Sequence, residues 1–245
     1  MIISNDNIDG MKAMLEEYND RTSTINDVFY NSLKTITDVV LPVIRMIPIL
    51  NRIEIMGKLQ FVIWKRMPED IIVNLEKTLT DTEIDDIVFE WQKDEVKNTI
   101  EQLLKNENIA NKTLLRQCID SYNQEEYNVA AIGFTAIIDQ LLTDISKNES
   151  TKWTKRVEEI VKQANQSGID TLSDENYMKV LLLTTYKLAQ DSFGEFSKFG
   201  EPEPNTLNRH WIMHGRTSRV MSQKDCIKII NYVYGTILMG ELIMQ

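Results

Sequence analysis

The chain contains two histidines, and both fall in the segment Asn208-Arg209-His210-Trp211-Ile212-Met213-His214-Gly215. An imidazole titrates at about 6.5, so it can accept and donate protons near neutral pH. Acid–base chemistry that depends on such a group must therefore pass through this segment. Arg209 adds a permanent cation and a fork of N–H donors that matches a phosphate or carboxylate. On a helix His210 and His214 lie at i and i+4, on one face. Arg209 and His214 are roughly 140° apart around the axis, so both border one cleft only if His214 sits at a frayed last turn beside Gly215. From Asn205 to Ile230 the charged residues are Arg209, Arg216, Arg219, Lys224, Asp225 and Lys228. Five positive side chains and one negative give +4 within a chain of net charge −10. A phosphate would go here, with Arg216 and Arg219 as further substrate-binding candidates.

The residues alone leave other readings open. His214 could simply satisfy the last carbonyls of a helix. Arg209 could be a structural partner of Asp139 or Glu126. The HxxxH spacing of His210 and His214 could also hold zinc, but the glutamate that follows the first histidine in metalloprotease helices is absent, and no third histidine completes a shell. The acidic run from Asp81 to Glu95 reads as a solvated helix face rather than as metal carboxylates. Trp64, Trp91, Trp153 and Trp211 are isolated in sequence and read as core or interface anchors. No phosphate-binding loop, dinucleotide fingerprint or nucleophile elbow is present. Cys118 and Cys226 match no zinc or redox spacing and read as free thiols in a reducing cytosol.

Helices must position these groups, because helical periodicity dominates and the chain has only 5 prolines and 9 glycines. Residues 24–60 repeat apolar side chains at three- and four-residue spacing, with breaks at Pro42 and Pro48. Pro68 suits the first turn of a new helix, with Glu69 and Asp70 at its N-terminus. Thr80 to Thr82 looks like a cap before a long helix, and Asn106 to Asn111 interrupts the pattern. Helices are expected over 112–122, 124–147 and 152–165, then a loop from Gln163 to Ser173. A helix from Ser173 to about Phe199 is stopped by Pro202 and Pro204. Asn205 or Thr206 would cap the short histidine helix, with Gly215 as its C-terminal glycine. Ser222 and Asp225 have capping-box spacing before the apolar last helix, which could instead form an obligate oligomer interface. The expected fold is all-α, with an N-terminal helical region (1–108) and a second helical domain (109–245). The apolar stretch Val39–Trp64 is broken by charges and prolines and is too interrupted to span a membrane. No signal peptide is expected. The strong net negative charge argues against a broad nucleic-acid surface but allows a local basic site.

Arg209, four intervening residues and His214 match the R-X4-6-H motif of the HEPN superfamily (higher eukaryotes and prokaryotes nucleotide-binding), and His210 supplies the polar residue that often follows the arginine. The wider string from Leu207 to Arg216 resembles the NRHxxxHG C-terminus of bacterial and prophage HEPN-like proteins. Glu126 to Ala131, continuing through Ile138-Asp139, is similar to their second helix, and Gly57 to Trp64 to their lead-in helix. The resemblance covers about the last 135 residues well and about the first 105 loosely. It implies a HEPN-like helical bundle that forms a homodimer, with the Arg–His motifs of two subunits lining a shared cleft. It further implies a metal-independent endoribonuclease acting on RNA, with no cofactor and no membrane association. Cytoplasmic phage defence of abortive-infection or toxin type, under a regulatory protein partner, completes the expectation. In that frame His214 is general base or acid, Arg209 holds the scissile phosphate, and His210 is a second proton-transfer group. Asn208 orients phosphate or imidazole, and Asp139 holds Arg209 or a histidine in place. The alternative is a catalytically inactive HEPN scaffold binding nucleotide, RNA or a protein partner.

Overall fold

A computed structural model describes residues 51–244 except 78–79, 149, 151, 167–173 and 199, and of 174–177 the backbone alone. The expected helices before residue 51, the break points Pro42 and Pro48, and the start at Ser173 lie outside the described residues. Among those described the chain is all-α. Residues 51–58 are helical, followed by α1 (Glu69–Lys77), α2 (Asp81–Lys105), α3 (Lys112–Asn123), α4 (Tyr127–Ser146), α5 (Trp153–Gln166), α6 (Asp174–Gly194), α7 (Arg209–Met213) and α8 (Gln223–Met244). They belong to one compact unit, Pro48–Gln245, and the expected boundary at 108/109 falls inside it. Leu103 before that point and Ile109 after it share one core with α4 and α8.

Local chemistry sets most of the helix ends. Thr80 caps α2 in a full capping box with Glu83, which satisfies two orphan N–H groups at once. Asn111 caps α3 by accepting from Leu114 N–H. Ser222 and Asp225 bond reciprocally at the start of α8. Helix α8 is the centre of the bundle and packs on α4, α2, α5 and α6. Its apolar character, which alone would also suit an oligomer interface, is used within the chain: Ile227, Ile229, Ile230 and Val233 are all buried. Helices α4 and α8 are long and apolar enough to cross a bilayer by length and composition, yet most of each lies buried inside the protein.

Two expectations need correction. The segment Gly57–Trp64 is not a continuous helix. Phe61 N–H bonds to Met56 C=O and Gln60 N–H to Gly57 C=O, a Schellman ending. Gln60 takes the left-handed position at φ 66°, a conformation that costs a non-glycine residue roughly 1–2 kcal/mol. Phe61, Val62 and Ile63 follow without helix and are all fully buried. Val62 enters one core cluster and Phe61 and Ile63 enter another, the alternation expected of an extended wedge. The backbone of that wedge is satisfied by side chains: Thr185 Oγ1 accepts from Ile63 N–H and Gln92 Nε2 donates to Val62 C=O.

The second correction concerns α6, which ends at Gly194 rather than near Phe199. A Cβ on Gly194 would stand 2.1 Å from Trp153 Cδ1, so the helix end lies flush on that indole. Beyond it, the carbonyls of Glu195 and Ser197 accept from Asn208 and His210. Helix α7 thus takes up acceptors that a longer α6 would have used internally.

Candidate functional site

The entry to α7 is fixed by Gln60, which sequence reasoning passed over. Its side-chain amide donates to Leu207 C=O (2.8 Å) and accepts from Leu207 N–H (2.7 Å), while its own carbonyl accepts from Tyr232 OH. This doubly bonded contact places the next residue, Asn208, as the N-cap of α7, where Asn205 or Thr206 had been expected. Asn208 Oδ1 accepts from the backbone N–H groups of His210 and Trp211, and its Nδ2 donates to Glu195 C=O at 2.9 Å. Asn208 is buried, and its amide is engaged in fastening α7 to the end of α6. At the other end Gly215 has φ 61°. Gly215 N–H bonds to Ile212 C=O and Arg216 N–H to Trp211 C=O, the expected glycine ending in Schellman form.

These two caps present the histidines. The rings of His210 and His214 lie 4.8 Å apart, edge to face, and Phe196 packs on His210 from the other side at 5.0 Å. His210 Nδ1 is 3.0 Å from Ser197 C=O. A carbonyl can only accept, so Nδ1 carries a proton in every protonation state, and Nε2 is the atom that gains or loses one. Burial, outweighing the Ser197 bond and joined by the charges of His214, Arg209 and Arg216, lowers the His210 pKa below the ordinary imidazole value. His214 is exposed at the C-cap, where its backbone N–H bonds to the carbonyls of His210 and Ile212.

Arg209 turns the other way. Its guanidinium carbon lies 4.7 Å from the centroid of the Trp153 ring, and its Nε is buried without a hydrogen-bond partner. Trp153 is the first residue of α5 and is buried. Its Nε1–H donates to Gln190 Oε1 of α6. The same indole carries a second guanidinium, Arg156, at 5.9 Å. Asp139 pairs with Arg156 (2.6 Å), and Arg156 also donates to Asp139 C=O and Thr143 Oγ1. Asp139 therefore bonds Arg156, rather than holding Arg209 or a histidine directly. Its charge favours the cationic form of Arg209, while burial, the largest influence, and the neighbouring Arg156 lower the Arg209 pKa.

Two further arginines were candidates for phosphate. Arg219 is committed to the preceding loop, donating to the carbonyls of Pro204 and Asn205. Glu203 fastens the same loop by accepting from Thr217 and Ser218. Arg216 is exposed and contributes its charge near His210. The +4 stretch is not one basic surface. Lys224 and Lys228 turn to Asp85 and Asp86 on α2, leaving Arg209, Arg216 and Arg219 on the α7 side. Between α4, α7 and the loop that follows α7 lies a cleft of about 120 Å3, lined by Asn128, Ile132, Ile212, Gly215, Thr217 and Met221.

Both cysteines are free and buried. Burial pushes the Cys118 thiol up to about 11 and the Cys226 thiol up to about 12, so neither is a nucleophile near neutral pH. The cluster on Trp153 carried a faint signal in sequence, an arginine three residues beyond a tryptophan at a helix start. Nothing local linked that pair to Arg209 more than fifty residues later. No protein-family model, no curated protein and no solved structure matches this chain.

Proposed function

We propose that the chain is a metal-independent endoribonuclease of HEPN type, with His210 and His214 as its proton-transfer groups. The observation that carries this reading is the imidazole pair at 4.8 Å on an exposed helix end. Two imidazolium charges that close disfavour each other. Transesterification of RNA needs one neutral and one protonated ring at the same time. The neutral ring takes the 2′-hydroxyl proton as the 2′-oxygen bonds to phosphorus. The protonated ring gives its proton to the 5′-oxygen as that P–O bond breaks, leaving a 2′,3′-cyclic phosphate. The lowered pKa of His210 and its fixed Nδ1–H favour it as base at Nε2, with His214 as acid. The role of Arg209 in steadying the charge on the phosphate oxygens comes from the sequence resemblance alone, since its guanidinium packs on Trp153, away from the imidazole pair.

The 120 Å3 cleft is well under the roughly 300 Å3 of an enclosed small-molecule site. An RNA strand would cross the open face instead. Val129, Ile132, Met213 and Val220 are exposed apolar residues of α4, α7 and the loop that follows α7, with Val220 85% exposed. Exposed apolar groups on these neighbouring elements support coverage by a second copy, giving a homodimer with a shared groove. Phage defence, a cytoplasmic setting and a regulatory protein partner rest on the sequence resemblance alone.

One observation favours an inactive scaffold that binds nucleotide, RNA or protein: Arg209 packs on Trp153, whereas His214 is exposed at the C-cap. Incubation of RNA in EDTA with wild type, Arg209→Ala and His214→Ala separates the two readings. The ribonuclease reading expects cleavage by wild type and a loss of roughly 10²–10⁴-fold in His214→Ala. RNA affinity lost in Arg209→Ala, with no cleavage by wild type, supports the scaffold. Cleavage that survives both substitutions removes the site.

A further inference from the structure

Among the described residues, the buried side-chain nitrogens without a hydrogen-bond partner are Arg156 Nε, Gln190 Nε2 and Arg209 Nε. All three residues contact one side chain, the Trp153 indole. Each unpartnered atom is a donor. The orientation of Gln190 follows from chemistry, since the indole N–H can only donate and therefore faces Oε1, leaving the amide NH2 as the free end. A cluster short only of acceptors is matched by a group that only accepts, which is an anion. The charges agree: two guanidiniums are set against one nearby carboxylate, Asp139. The site is built rather than incidental, with Arg156 5% exposed and Gln190 fully buried. Asp139, whose side chain is 47% exposed, and the partly exposed Arg209 border the cluster on its solvent side, while the three donors themselves are shut off from solvent.

We propose that the Trp153 cluster is an oxyanion site, in which Arg156 and Arg209 take a phosphate group and the Asp139 carboxylate competes with that ligand for Arg156. The planar forks of two arginines suit the oxygens of a phosphate. The single excess positive charge balances the one negative charge of a phosphodiester. This deepens the ribonuclease reading, on which it rests only for taking the phosphate to belong to an RNA chain. Asp139 thereby changes role: it is a built-in competitor that occupies Arg156, not a support for binding.

The test follows thermal unfolding and calorimetric binding of the full chain in sodium phosphate against sodium chloride of equal ionic strength. Phosphate is expected to raise Tm beyond chloride. Arg209→Gln should weaken phosphate by roughly 30-fold or more, and Asp139→Asn should tighten it several-fold. Arg156→Lys keeps the charge and loses the fork, so it should weaken binding; Asp139→Asn carries the test if that variant fails to fold. A DNA oligonucleotide, which has phosphodiesters and no 2′-hydroxyl, should displace inorganic phosphate if the ligand is a chain phosphate. Failure to displace it would assign the site to free phosphate. Equal Tm in the two salts, or Asp139→Asn weakening phosphate in parallel with Arg209→Gln, overturns the proposal. Phosphate binding without RNA cleavage by wild type leaves this site standing and removes the ribonuclease reading. Cleavage without phosphate-specific stabilisation does the reverse.

Discussion

Two pairs of cations sit against aromatic rings in this bundle, and the protein completes one pair and leaves the other short of acceptors. On α8, Lys224 lies over Phe89 at 4.9 Å and Lys228 over Phe61 at 4.2 Å. Both donate to Asp85, and Lys224 also to Asp86, so two positive charges meet two negative ones. Around Trp153, two guanidiniums have one nearby carboxylate, Asp139, which pairs with Arg156, and Arg156, Arg209 and Gln190 each keep a buried donor without a partner. A buried donor without a partner costs about 1–3 kcal/mol, a cost the α2–α8 cluster avoids. The difference teaches which cluster is architectural. Lysines wrapped by carboxylates join two helices; arginines short of acceptors on a rigid indole, beside a histidine pair, are placed to receive something.

The largest effect should come from opening the closed cluster. Asp85→Ala leaves Lys224 with Asp86 alone and removes the carboxylate that Lys228, 9% exposed, bonds. Chemical denaturation should show a loss of about 3–5 kcal/mol, equal in phosphate and in chloride. Recovery in phosphate would erase the distinction between the clusters. The pH dependence follows from the same contacts. Burial alone would raise the Asp85 pKa, but the bonds from Lys224 and Lys228 together outweigh it and hold it below its ordinary value of 3.8. Its stabilising contribution is therefore present above pH 3.8 and lost as pH falls through the lower folded-state value. Asp85→Ala should lack that acid limb.

A smaller effect should follow from disturbing the open cluster through its floor. Gly194→Ala puts a methyl against Trp153, and overpacking of a rigid neighbour costs about 1–3 kcal/mol. The variant should lose Tm, shift the tryptophan fluorescence to which Trp153 contributes and lose most of the phosphate response. An unchanged phosphate response would mean that the indole is not the platform. The smallest effect belongs to His210. Its folded-state pKa is lowered, so the folded protein resists protonation there. Stability is complete above about 6.5 and falls as pH drops from that value through the folded-state pKa. Tm followed against pH in His210→Gln should be flatter over that window.

The fold was legible wherever the signal was local. Thr80 with Glu83, Ser222 with Asp225, and Gly215 after the histidine helix each act within one turn, and each sits at the helix end its chemistry suggests. What escaped depends on distant partners. Gln60 gives no hint in sequence that it will bond Leu207, 147 positions on, and that contact moves the cap of α7 to Asn208. The +4 stretch was a sum along the chain, and the chain turns Lys224 and Lys228 away from Arg209 toward α2. Helix α6 was expected to run to the prolines because nothing in its own residues reveals that α7 takes its last carbonyls. Arg156 meets Arg209 only through the Trp153 indole that both pack on, a contact more than fifty residues apart in sequence.

The central claim is that the paired imidazoles transfer protons in RNA cleavage. The most direct measurement is single-turnover cleavage of an RNA with one scissile bond, in EDTA, with the product ends identified by mass. Wild type is predicted to leave a 2′,3′-cyclic phosphate, with His210→Ala and His214→Ala each slower by roughly 10²–10⁴-fold and both folded. Cleavage that requires a divalent metal, that leaves a 3′-hydroxyl, or that proceeds at the wild-type rate in both variants would contradict it.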